Sequence, residues 1–393
     1  MSKRKRVRRT ARQLSTVALG LATSAGLAVT IPAAASAAPG DVSSVVGHAY
    51  VDDNTAGANT IGVFDRHADG TLTPDPDSPV AAGGAGTGKG LASQGAIQLS
   101  PDGGWLIAVD AGSDQLSVLQ VNRDGSLSPG TVVSSGGATP VSITINGDLV
   151  YVANAGPADS NYTGFRFHNG RLIPIPHSTV PLASDAQPGD VLFNNSGTKL
   201  VGTEIGTSVI DSFTVLPNGR LSEAPGSPFA AQGLGPFGSE FRPTNPDQLF
   251  VSNAHNVGPL TGTVSAFSDA ASGVLTSIGS SPFADQQTAP CWVEITNDGA
   301  FLFTVNTASG EISSYSIAPG GVLTLIGSTP VGDTGGLGAV DARLSPDGRY
   351  LYVDESRIGS VGTFAVNGGQ LTELTNSPTA LPAGATPAGI SVN

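Results

Sequence analysis

The sequence predicts an all-β fold: a seven-bladed β-propeller of four-stranded antiparallel blades, its ring closed by the C-terminal strand pairing with the first blade. Three observations carry this expectation. A strand ending in an acid or amide recurs seven times, at Asp52, Asp110, Asn154, Glu204, Asn253, Asn306 and Glu355, which is a period of about 50 residues. A Gly-x-Leu turn keeps the same beat at Gly70, Gly125, Gly170, Gly219, Gly273, Gly321 and Gly369. The tail Thr386–Val392 repeats the pattern of Thr139–Ile145, the innermost strand of the third unit, whereas the first unit lacks such a strand. A ring left open would expose two unpaired sheet edges, so the tail is expected to complete the first blade.

The second unit shows how each repeat is built. Runs at 96–99, 106–109 and 116–121 are short, rich in β-branched residues and bounded by Ser-Pro-Asp-Gly and Asp-Gly, the punctuation that strands require. Asp69-Gly70, Asp124-Gly125, Asn169-Gly170 and Asn218-Gly219 stand where a tight hairpin needs positive φ, which glycine supplies without a Cβ clash. Units that pack on one another in a ring let residues 45–393 act as one domain despite their length.

Residues 1–37 read as a secretory signal peptide and 38–44 as a short linker. Seven Lys and Arg between Lys3 and Arg12 precede an apolar stretch, Leu14–Thr30, and then Ala35-Ser36-Ala37, the order of an export signal cleaved after Ala37. Export through the general secretory route is expected, with Arg8-Arg9 leaving the twin-arginine route open. The mature chain is then secreted and extracellular. It keeps eleven Lys and Arg against 31 Asp and Glu, a formal charge of −20. Such a surface repels phosphate backbones and anionic lipids, so neither a nucleic-acid partner nor membrane insertion is expected, and the chain is read as a monomer. Cys291 is the only cysteine and forms no internal disulfide; it is expected to be buried. Asn161-Tyr162-Thr163 fits a glycosylation sequon and is read as a loop. Gly83–Lys89 matches most of a phosphate-binding loop, but Gly90 replaces the Ser or Thr and no helix follows, so it is read as a flexible linker between blades.

In a propeller the innermost strand begins, and the second strand ends, at one mouth of the channel. The strand-end residues Asp52, Asp110, Asn154, Asn253, Asn306 and Glu355, with Glu204 and with Gln187 at the opening of the fourth unit, are therefore the candidate ligand-binding residues. A ring of carboxylates there could hold a divalent cation such as calcium or raise a carboxyl pKa; capping of strand ends by local hydrogen bonds is the competing reading. No cofactor is otherwise expected. His255 and Arg357 follow strand ends and can overhang the mouth. Glu240, Glu294 and Arg343 occupy equivalent innermost positions and are read as an ion-pair network.

With Ser345-Pro346-Asp347-Gly348-Arg349-Tyr350-Leu351-Tyr352-Val353, Gly362-Thr363-Phe364-Ala365-Val366 and Gly369-Gln370-Leu371-Thr372, the chain resembles the lactonase family of seven-bladed propellers, which includes 6-phosphogluconolactonases and carboxymuconate cyclases. The resemblance spans residues 45–393 and implies lactone chemistry at the mouth. Several positions depart from the family pattern. Gln187-Pro188-Gly189 stands for His-Pro-His, Gly235-Pro236-Phe237-Gly238 for Gly-Pro-Arg-His, and Glu355-Ser356 for Asn-Arg, while Glu204 and Asp341 keep an acid. Two functions follow. One is a binding protein for a small molecule or a protein at an acidic mouth, with catalysis lost or altered. The alternative is a lactone hydrolase with Glu204 or Asp341 as base, assisted by His255 or Arg357, provided these side chains meet at one substrate position.

Overall fold

In the computed structural model, residues 43–332 and 338–393 are described; the leader expected at 1–37 and most of the linker expected at 38–44 lie outside them. Strands fill seven antiparallel sheets, and among the described residues there is no helix. The first blade runs from the axis outward as Gly389–Val392, Val45–Asp52, Thr60–His67 and Leu72–Pro74. Its innermost strand is the C-terminus: Ala49 pairs with Val392 and Asp52 with Gly389. The second blade runs Ile97–Leu99, Trp105–Asp110, Gln115–Val121, Leu127–Ser134. The innermost strands of blades three to seven are Pro140–Asn146, Pro188–Phe193, Pro236–Arg242, Pro290–Ile295 and Ala339–Leu344. Four of these open on proline, which is tolerated at the first residue of a strand because no ladder donor is needed there.

Blades hold one another through apolar faces and through a repeated tyrosine bond. Ile107, Val109 and Val118 of blade two pack with Val150, Val152 and Phe165 of blade three in one buried cluster. Tyr50 of blade one donates its hydroxyl to the Gly125 carbonyl at the blade-two hairpin, 3.0 Å, and Tyr151 of blade three donates likewise to Gly219 of blade four. Tyr352 of blade seven reaches Gly70 of blade one at 3.0 Å, so this bond also spans the join between the last blade and the first. The burial that drives stacking thus comes with a hydrogen-bond acceptor at a fixed place, which suits a tyrosine better than a phenylalanine.

The outermost strand is interrupted in five blades, where a second short piece pairs with the same third strand. At the break a serine hydroxyl accepts the strand amide that lacks a carbonyl partner: Ser78 from Val63, Ser227 from Ser212, Ser281 from Ala266 and Ser377 from Thr363, at 2.7–3.0 Å. A buried amide left without that partner would cost about 1–3 kcal/mol.

Two local readings are corrected. Asn161 begins the strand Asn161–His168 and is buried, not in a loop. The Gly83–Lys89 segment is not a free linker. Asn54 grips it, accepting from the Thr87 amide at 2.7 Å and donating to the Lys89 carbonyl at 2.6 Å, while the Gly86 amide donates to Thr55.

Candidate active site

From Lys89 the chain dives to the axis. Leu91–Gly95 crosses the ring as a strap before entering the innermost strand of blade two. The Gln94 amide donates to Gly189 of blade four, and its side-chain amide donates to Ser239 of blade five and Val293 of blade six, at 3.0 and 3.3 Å. Val293 returns a bond to Gln94 Oε1 at 2.9 Å. Ser93 is held by the Trp292 indole, 2.7 Å, and itself donates to Val141 of blade three, 2.8 Å. Gly238 permits this, because a Cβ there would stand 2.2 Å from Gln94 Oε1.

Beside the strap, at the end of the ring where innermost strands begin, lies a cavity of about 360 Å³. Each wall comes from a known place in the repeat. Val141, Pro188 and Phe237 are at the start of innermost strands, Ala155, Ile205 and His255 follow the ends of second strands, and Leu91 and Ala92 belong to the strap. Phe237 is buried and packs edge-on against Trp292 with ring centroids 5.0 Å apart. Polar groups are confined to Thr87, Lys89, Thr139, Gln187 and His255. His255 is exposed, and its imidazole lies over Gly235, whose backbone φ of +63° and missing Cβ leave room for the ring. Among the described residues, the side chains of Lys89 and His255 have no hydrogen-bond partner, so both stay available to a ligand.

Of the residues picked out by sequence, Gln187 and His255 line this cavity; the rest do not. The strand-end residues are at the expected end of the strands, but they turn sideways into the blades. Asp52 and Asp110 share the Asn59 side-chain amide at 2.9 and 3.0 Å, and Ser117 donates to Asp110 at 2.5 Å. Asn154 donates to Asn161, Asn253 to Ser265, and Asn306 to Ser313. Glu355 is buried, and its pKa is pushed up to about 7, first by burial and then by Glu373. Burial likewise holds Asp52 well above the usual carboxylate range; the Asn59 bond opposes this and the Asp110 charge adds to it. The expected acidic mouth is therefore corrected: no carboxylate lines the cavity. Among the described residues, no group of three or more His, Cys, Asp or Glu is placed to hold a metal ion.

Glu204, Asp341 and Arg357 are also spread apart. Glu204 faces a groove between blades three and four, bonded to the Thr207 hydroxyl and close to Asp211, whose pKa is pushed up to about 8 by burial and the neighbouring Glu204. Asp341 is buried on the axial side, accepting from the Ala342 and Ile390 amides at 3.0 and 3.3 Å, with burial pushing its pKa up to about 6. It helps to seat the closing strand. Arg357 is exposed on the loop after Tyr350–Glu355 and does not line the cavity. The structure thus does not bring Glu204 or Asp341 to one substrate position with His255 or Arg357.

A second cavity, about 190 Å³, lies in the axial channel against the strap, lined by Gln94, Gln98, Thr144, Asp190, Glu240 and Arg343 among others. Arg343 pairs with Glu294 at 2.8 Å, the ion pair that the sequence suggested. Asp190 accepts the Ser239 hydroxyl and amide at 2.6 and 3.0 Å, and burial pushes its pKa up to about 7. Sequence reasoning missed Lys89 and Leu91 as pocket residues, whereas Phe237 stands at a mouth position that the family resemblance had marked. The signal for the strap was the pair of bare positions Gly95 and Gly238, which give close approach rather than chemistry.

Known proteins agree with this architecture. Residues 54–181 match the family described as lactonase, 7-bladed beta-propeller. No curated protein sequence matches the chain. Among solved structures, the chain is similar to a protein assigned as a 6-phosphogluconolactonase from Bacteroides uniformis, with 20% identity, a TM-score of 0.71, and coverage of 88% of this chain and 99% of that one. It is also similar to the periplasmic gluconolactonase PpgL of Pseudomonas aeruginosa, with 16% identity, a TM-score of 0.70, and coverage of 88% and 98%.

Proposed function

We propose that this chain, a seven-bladed propeller resembling the lactonases, opens a lactone ring in the cavity beside the strap. The observation that carries the reading is that an unpaired imidazole, His255, and an unpaired ammonium, Lys89, line one half-open cavity. In the proposed reaction His255 takes a proton from a water that attacks the lactone carbonyl carbon. Lys89 steadies the oxyanion that forms. Collapse breaks the ring C–O bond, and the imidazolium returns its proton to the leaving alkoxide. Lactone and water give one hydroxy acid, with no cofactor required. The family match and the lactonase names among the structural neighbours support this reading over one without catalysis.

The leader at 1–37 is read as sending the chain out of the cytoplasm, so its substrate is met outside the cell. Titration of acid release from a lactone panel tests the proposal: turnover by the intact propeller and a loss of about 100-fold or more in kcat for His255→Ala are expected. Full activity in His255→Ala would defeat it. A second reading, ligand binding without turnover, draws on Gln187 standing where the family tends to carry histidine. It predicts that lactones raise the melting point and are recovered intact.

A further inference from the structure

We propose that the cavity selects lactones bearing an unbranched alkyl chain over sugar lactones; this rests on the hydrolytic reading above and names its substrate class. The walls include Leu91, Val141, Pro188, Ile205 and Phe237, whereas the polar side chains of the lining are all exposed or half-buried. A sugar lactone carries hydroxyls on most of its carbons, and each one pressed against these walls would lose its hydrogen bonds to water without a replacement. An alkyl chain loses nothing there, and each methylene transferred from water strengthens binding about fourfold. Trp292, packed edge-on against Phe237, spends its indole N–H on the Ser93 carbonyl at 2.7 Å, so the aromatic pair keeps no free donor for a sugar hydroxyl.

Size and surroundings point the same way. At about 30 Å³ for each heavy atom, the volume share of one water, a cavity of about 360 Å³ takes roughly a ten-carbon γ-lactone. Apolar side chains are also exposed on the segments that flank the cavity residue His255 in the chain. Leu234, whose carbonyl accepts the His255 amide at 3.0 Å, is 49% exposed, and Val257 and Leu260 on the following loop are 87% and 61% exposed. That loop is pinned rather than collapsed, with Asn256 accepting from the Leu234 amide at 2.9 Å and donating to Thr261 at 2.8 Å. These three exposed aliphatic side chains, on the segments that carry Gly235 and His255, offer a track for a chain longer than the cavity.

The experiment measures kcat/KM for γ-lactones of four, six, eight and ten carbons beside glucono-δ-lactone and its 6-phosphate, with binding of the matching γ-lactams, which resist opening, followed by calorimetry. A rise of about tenfold or more for every two methylenes, with the sugar lactones poorest, is expected in kcat/KM and in lactam affinity. A flat series, or preference for either sugar lactone, overturns the inference while leaving lactone hydrolysis standing. Absence of turnover with lactam affinity that still climbs with chain length defeats hydrolysis alone, and lactam affinity that does not climb overturns the inference. Leu91→Ser is expected to cut the ten-carbon over four-carbon ratio at least fivefold, and an unchanged ratio counts against it. If Leu91→Ser fails to fold, the lactam series on the unaltered protein decides.

Discussion

The two cavities that meet the strap are opposites. On one side, about 360 Å³ is walled by Leu91, Val141, Ile205 and Phe237 and edged by an ammonium and an imidazole. On the other, about 190 Å³ of axial channel is lined by Gln98, Thr144, Asp190, Glu240 and Arg343. Asp190 and Glu240 line the second, other acids are buried in the blade interiors, and none lines the first. The difference teaches that net charge says little about a site when carboxylates are buried and paired. A surface count would have assigned this protein a cation-seeking mouth.

The strap is the boundary that keeps the two apart, so breaking it has the largest expected effect. Gln94→Ala leaves the Val293 amide and the Ser239 carbonyl without their partner, and a loss of about 3 kcal/mol is expected. Urea unfolding reads it, and a midpoint equal to that of the parent would mean the strap merely fills space. A next-smaller effect tests the buried acids on the channel side. Burial raises the Asp190 carboxyl from its ordinary 3.8 to about 7 in the folded chain, so the unfolded chain releases that proton first. Its contribution to stability is whole below pH 4 and disappears as pH climbs through 7. A fall on the order of 2 kcal/mol between pH 4 and pH 8 is expected, partly flattened in Asp190→Asn. Stability that rises over this range would contradict the assignment.

The smallest effect sharpens the contrast most. Glu240 lies in the channel, and burial together with Glu294 holds its carboxyl well above the ordinary range. Glu240→Gln, neutral like the protonated acid, should change stability by less than about 0.5 kcal/mol and leave kcat/KM for any lactone unaltered. Lost turnover in this variant would move the reacting centre to the other side of the strap.

What was legible in the sequence was whatever is local or periodic. Strand ends, Gly-x-Leu turns and the matching tail gave seven sheets and a closing strand, whose register the structure supplies as Asp52 opposite Gly389, because hairpin chemistry is written within a few residues. The direction of the strand-end side chains was harder to read, yet a trace was present. Asp52 and Asn59, Asp110 and Ser117, Asn154 and Asn161, Glu204 and Asp211, Asn306 and Ser313 are all seven apart, which places one polar side chain across the hairpin from the other. Asn253 finds Ser265 twelve residues on, because the loop carrying His255 is longer. The strap left no such mark. Gln94 meets partners 145 and 199 residues away, and the bare Gly95 beside it marks a close approach without saying to what. The Lys89 and Leu91 side of the pocket was hidden for the same reason.

The clasp between Val45–Asp52 and Gly389–Val392 has a consequence in time. The first sheet is made of the earliest and the latest parts of the propeller, so during synthesis it waits as a strand with a bare inner edge while six complete sheets accumulate behind it. Only when the final residues are released can the circle lock, and until then that edge offers itself to any other unfinished chain. Helpers that shield nascent polypeptides would be needed longest at Val45–Asp52, and a chain lacking Gly389–Val392 would be a horseshoe prone to self-association.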